Sequence, residues 1–133
     1  VSGLQKELER IKTLVKPLKM RVLFGEHFSL AIICTSEEER VYLSHNLPDY
    51  EDEIFYDVLN INNKNSFPPA AYIPYNAIIF TLQAQEDLFY SVIDDYFKNK
   101  NGQIITSLQE IFDLMDHDDY TILGGFKNVT GEQ

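Results

Sequence analysis

The stretch MRVLFGEHFSLAIICTSEEERVYLSH, residues 20–45, decides the fold. Apolar and β-branched residues cluster at 21–24, 28–34 and 40–44, with a polar break after each of the first two runs. Gly25-Glu26 suits a tight hairpin turn with glycine at its first central position. Ser36-Glu37-Glu38-Glu39 reads as a longer polar turn. Three runs joined in this way form an antiparallel meander. The expected fold class is therefore α+β: an antiparallel sheet of about five short strands with helices packed on it, in the order αβββαβααβ.

Working outward from the meander, the preceding segment carries Leu4, Leu8, Ile11, Val15 and Leu18 at alternating spacings of four and three. That period places one apolar stripe along an amphipathic helix over 1–19. Pro17 predicts its end or a kink near Lys16, because the proline ring clashes with the carbonyl four residues earlier. The stripe docks on the domain's own core or, alternatively, forms the seam of a homodimer. After the meander, LPDYEDEIFYDVLNIN (47–62) reads as a helix with Tyr50, Ile54, Val58 and Ile61 on one side. NNKNSFPPAAYIPYN is an irregular segment, since its prolines forbid a regular helix. AIIFT is uniformly apolar and so predicts a central strand. A helix over 84–98 and a short capped helix opening at Ser107-Leu108-Gln109-Glu110 follow. YTILGGF closes the sheet as a strand stopped by Gly124-Gly125, and 127–133 form a loose tail.

A chain of 133 residues with 44% hydrophobic and 13% aromatic content supports one domain, 1–133, with a real core. The single cysteine, Cys34, excludes an intramolecular disulfide and sits in an apolar run, as a buried inert thiol would. No segment has the pattern of a signal peptide or approaches the ~18 apolar residues of a membrane span, so a cytoplasmic setting and no membrane partner are expected. The net charge of −10 is uneven. Residues 1–21 carry six basic and two acidic groups, +4; the rest carries five basic and nineteen acidic groups, −14. Such a body lacks the basic footprint that direct nucleic-acid binding needs, whereas a partner protein with a basic surface suits it.

Asp116-His117-Asp118-Asp119 invites a metal reading, but adjacent side chains diverge. Counted as a calcium loop from Asp116, the sixth and twelfth positions hold Thr121 and Lys127 instead of glycine and glutamate. The histidines, at 27, 45 and 117, lack zinc-ligand spacing. No metal and no cofactor is expected. Paired carboxylates recur at Glu86-Asp87, Asp94-Asp95 and 51–53, yet no nucleophile elbow, phosphate loop or dinucleotide glycine pattern accompanies them. A non-enzymatic role follows, with a small enzyme of unknown type as an alternative. Acids interleaved with tyrosines suit protein interfaces. The expected partner-binding set is Glu51, Asp52, Glu53, Tyr56, Asp57, Asp94, Asp95, Asp116, Asp118 and Asp119. It would mask a basic partner surface as inhibitors, immunity proteins and nucleic-acid mimics do.

The segments KELERIKTLVKPLKM, RVYLSHNLP, IFYDVLNIN and LFYSVIDDYF, in that order, carry a likeness in element order. Helix, three-stranded meander, helix, strand, helix over about residues 4–97 resembles the class I type III secretion chaperones. The resemblance implies a dimeric, acidic, cytoplasmic protein that holds an extended client segment.

Overall fold

The computed structural model describes residues 3–50, 54–67, 75–88 and 121–124. In chain order they form α1 (Gly3–Val22), β1 (Phe28–Cys34), α2 (Glu37–Asn46), β2 (Ile54–Asn60), a 3-10 turn (Lys64–Ser66), β3 (Ala77–Phe80), α3 (Leu82–Leu88) and β4 (Thr121–Leu123). The strands lie in the order β2-β1-β3-β4, and every neighbouring pair is parallel. The expected antiparallel α+β sheet is thus overturned: the architecture is α/β. With the meander gone, the element order behind the secretion-chaperone likeness is gone too.

The correction has a physical cause in the strand at the centre. Phe28, Leu30, Ile32 and Cys34 point to one face of the sheet and join Leu8, Ile11, Val15, Leu18, Leu43 and Leu47 in a single apolar cluster. Ala31 and Ile33 point to the other face and are also fully buried, as are Leu59, Ile78 and Phe80. A strand buried on both faces reads as a continuous apolar run, and that is the mark of a parallel sheet rather than of a half-solvated hairpin. β3 is central, as its AIIF sequence predicts: it pairs with both β1 and β4, and all four residues are buried.

The flanking runs are helix, not strand. Arg21 and Val22 finish α1, and amides 23 to 25 bond back to carbonyls 20 to 22. Gly25 then adopts φ +90° and turns the chain from helix to strand instead of from strand to strand. Leu23 and Phe24, strand residues in the expectation, are exposed. Residues 40–44 lie within α2. Ser36 is its N-cap: the side-chain oxygen accepts from the Glu39 amide at 3.2 Å. The three glutamates that read as a polar turn are its first helical turn, where the macrodipole favours them.

Residues 54–60, expected in a helix, form the edge strand β2, paired residue for residue with β1 from Phe28↔Ile54 to Cys34↔Asn60. α1 continues through Pro17 to Val22, past its expected end near Lys16. The stripe of α1 packs inside the domain, with Leu8, Ile11, Val15 and Leu18 buried against the sheet. A dimer seam along it would require those side chains to leave the core. Gly124 follows β4 at φ +78°, consistent with the expected stop. The capped helix at 107–110, the remainder of the 84–98 helix and the tail lie outside the described residues. Among the described residues no helix is long and apolar enough to cross a membrane.

Two substitutions separate core from cap. Ile11→Ala, which empties a fully buried site, is expected to lower the unfolding free energy by ~2–5 kcal/mol. Ser36→Ala is expected to lower it by ~0.5–2 kcal/mol through loss of the α2 cap. Urea denaturation measures both, and light scattering should give folded Ile11→Ala the same mass as the parent.

Candidate functional site

The strand order reverses direction once. From β1 the chain passes through α2 to β2 on one side; β3 lies on the other side of β1, and β4 lies beyond it. The crevice outside the carboxyl ends of β1 and β3 is where open α/β sheets bind ligands. Here it receives Ser36 after β1 and the Thr81-Leu82 step after β3. α1, whose chain direction opposes the strands, brings its first turns to the same edge. The result is a cleft of about 560 Å³ walled by Gly3, Leu4, Lys6 and Glu7, by Ser36, Glu38 and Glu39, and by Leu82 and Gln83.

Two buried glutamates stand in its walls. Glu7 is 5% exposed; its Oε1 accepts from the Leu82 amide at 2.6 Å and its Oε2 from Arg10 Nη1 at 2.7 Å. Arg10 Nη2 donates onward to the Phe80 carbonyl. This arrangement ties α1 to the end of β3 with charge-assisted bonds. Glu39 is 7% exposed because it shares the sheet-facing side of α2 with Leu43. In a capping box the third helical glutamate reaches back to the cap amide. Glu39 instead turns across the crevice, where Oε1 accepts from Thr81 Oγ1 at 3.0 Å. Thr81 Oγ1 accepts in turn from the Ala84 amide, capping α3. The Glu39 Oε2 has no hydrogen-bond partner among the described residues.

Burial pushes the Glu39 carboxyl above its ordinary range. The Thr81 bond opposes the shift, the negative charges of Glu7 and Asp87 add to it, and Arg10 offsets it in part. Glu37, next to it in sequence but exposed, goes the other way. Arg40, Asn60 and Asn63 all bond its carboxylate and hold it down at about 2. Cys34 ends β1 beside the α2 N-terminus, a place that ordinarily activates a thiol. Burial and the charges of Glu39 and Glu37 instead push it up to about 12. It is a buried thiol with no nucleophilic character at neutral pH.

The first turn of α2 also bears on phosphate binding. A helix N-terminus attracts anions, but here three glutamates occupy that turn and no glycine-rich loop precedes it. The lining therefore favours a cation. Among the described residues no group of three or more His, Cys, Asp or Glu could hold a metal ion.

Of the expected partner-binding residues, Tyr56 and Asp57 fall on β2, and both are half-buried with their polar atoms used inside the fold. Tyr56 Oη donates to the carbonyls of Leu47 and Pro48, and Asp57 accepts from Tyr75 Oη. Glu51, Asp52, Glu53, Asp94, Asp95, Asp116, Asp118 and Asp119 lie outside the described residues. Sequence reasoning missed Glu7, Glu39 and Thr81. The spacing Ser36-x-x-Glu39 was the available signal, since it marks a helix start; nothing local marks Glu7 or Thr81. Comparison with protein-family models, with curated proteins and with solved structures found no match.

Glu39→Gln keeps an acceptor for Thr81 and removes a buried charge. It is expected to raise stability at neutral pH by on the order of 1 kcal/mol, read as an increased Tm. The sign follows from the raised carboxyl. The native state binds the extra proton, so the parent gains stability as pH falls from neutral toward the ordinary glutamate range near ~4.3. Glu39→Gln lacks that gain. Glu37 contributes in the opposite sense: its stabilisation is complete above its ordinary value of 4.5 and is lost progressively as pH falls from there through about 2. Cys34 should resist alkylation in the native protein at pH ~8 and react once the chain is unfolded in denaturant.

Proposed function

We propose that the protein is a non-enzymatic acidic binding module that engages and masks a basic surface of a partner protein through the carboxyl edge of its sheet. The observation that supports this best is Glu39: a carboxylate carried at the switch point, almost fully buried, with one oxygen fixed by Thr81 and the other without a hydrogen-bond partner among the described residues. Buried charge without a full set of partners works against folding, and such groups concentrate at functional sites. The reading keeps the chain's charge of −10 and moves its working centre from the expected surface to the cleft and its rim. Glu38 lines that cleft and is exposed, as are Glu86 and Asp87 on α3, the helix that follows Thr81 at the same edge. Asp87 is held in place by Thr35 and Gln83. An inhibitor or immunity protein works in this way, in a cytoplasmic setting where Cys34 stays a free thiol.

The rim acids should act on encounter more than on residence, because long-range attraction steers association. With a lysine-rich peptide as the probe, Glu38→Gln combined with Glu86→Gln is expected to slow association by about 3–10-fold at low salt and to flatten its salt dependence. Stopped-flow measurement at two ionic strengths checks this. Identical rates for parent and variant at both would leave the acidic edge with solubility as its only role.

A further inference from the structure

We infer that the cleft between Glu7, Glu39 and Leu82 is a socket for one alkyl cation: an ammonium or guanidinium head on an unbranched stem, as a lysine or arginine side chain presents. This rests on the masking reading and names the group of the partner that enters. The cleft, about 560 Å³, is large enough to admit a whole lysine or arginine side chain. Its walls divide by chemistry. Leu4 and Leu82 offer apolar surface, and Leu82 is 55% exposed, an uncovered leucine at the mouth of a cleft. A methylene stem covers such surface while its charged head lies elsewhere.

The acceptor for the head is the Glu39 carboxylate. Thr81 fixes the orientation of Oε1, and Oε2 is left without a hydrogen-bond partner among the described residues. A buried carboxylate oxygen in that position is satisfied by a donor, and a cationic donor also neutralises the charge. Glu7 is not a competing acceptor, because Arg10 and the Leu82 amide already hold both of its oxygens. It adds a second negative potential on the facing wall. Glu38 adds a third at the rim. Opposing charge comes from Arg10, which is held by Glu7, and from Lys6, on the α1 side of the lining, which competes with an incoming cation. An anion would meet three glutamates, and a neutral ligand would leave the Glu39 charge unpaired.

The test is a titration of the whole chain, followed by NMR, with n-butylguanidinium, n-butylammonium and n-butyltrimethylammonium. The first two separate the head groups; the third carries the same charge without a hydrogen-bond donor. Saturable binding of one or both donors is expected, with shifted amides at Ser36, Glu39 and Leu82. Glu39→Gln should weaken it by about tenfold or more. Glu39→Gln retains the Thr81 bond and should melt no lower than the parent, so loss of binding is not loss of fold. Lys6→Gln should tighten binding by about 2–3-fold, and the quaternary ion should bind about tenfold more weakly than its primary analogue. Equal titration of parent and Glu39→Gln, or equal binding of the quaternary ion, overturns the socket in favour of diffuse charge attraction. If a lysine-rich peptide still binds both forms alike, the socket falls and masking stands. If the small cations bind at Glu39 and no basic peptide does, the socket stands and masking falls.

Discussion

Burial of β1 on both faces is the constraint on which the rest of the structure depends. A strand with no solvent side must lie inside a sheet, and the sheet must be covered above and below. Parallel pairing meets that demand because each crossover lays an element across a face. α2 is such a crossover between β1 and β2, and α1 adds a second helix to the same cluster through Leu8, Ile11, Val15 and Leu18. β3 extends the buried centre, with Ala77 and Ile79 on the cluster side and Ile78 and Phe80 on the other. Because the central strands β1 and β3 are buried along nearly their whole length, polar side chains gather around their ends.

That is where they do converge. At the carboxyl edge, α1, α2, the end of β2 and the start of α3 meet through hydrogen bonds that each use a carboxylate. Glu7 holds the first amide of α3, Glu39 holds the hydroxyl that caps α3, and Glu37 gathers Arg40 and the Asn60 amide at the end of β2. The three acids have different environments. Glu37 is exposed and fully bonded, Glu7 is buried with both oxygens bonded, and Glu39 is buried with one oxygen bonded. Among the described residues, only the last of the three has a carboxylate oxygen without a hydrogen-bond partner. A fold optimised for stability alone would have placed an apolar or amide side chain there.

The amino edge of the sheet is joined differently: the Asn76 side chain accepts from the Ser29 amide and donates to the His27 carbonyl, Tyr56 anchors the chain that leaves α2, and an exposed Arg21–Glu26 ion pair closes the turn from α1 into β1. Among the described residues, the buried carboxylates Glu7 and Glu39 stand at the carboxyl edge, whereas the ion pair at the amino edge is exposed.

Much of the fold was legible in the sequence. The stripe of α1, the strand at 28–34, the central AIIF strand, the stop at Gly124 and the burial of Cys34 all follow from local period and composition, because burial alone sets those patterns. Strand direction did not follow. An apolar run buried on both faces is silent about whether its neighbour returns by a hairpin or by a helix. Ser36-x-x-Glu39 was legible as a helix start, and with it the crossover could have been read. Ile54 and Val58 were ambiguous for another reason: a spacing of four residues returns to the same side of a helix and to the same face of a strand. The candidate site was the least legible part. Glu7, Glu39 and Thr81 become neighbours only once α1 and the ends of β1 and β3 are brought to one edge, and no local pattern encodes a meeting made by the topology of a parallel sheet.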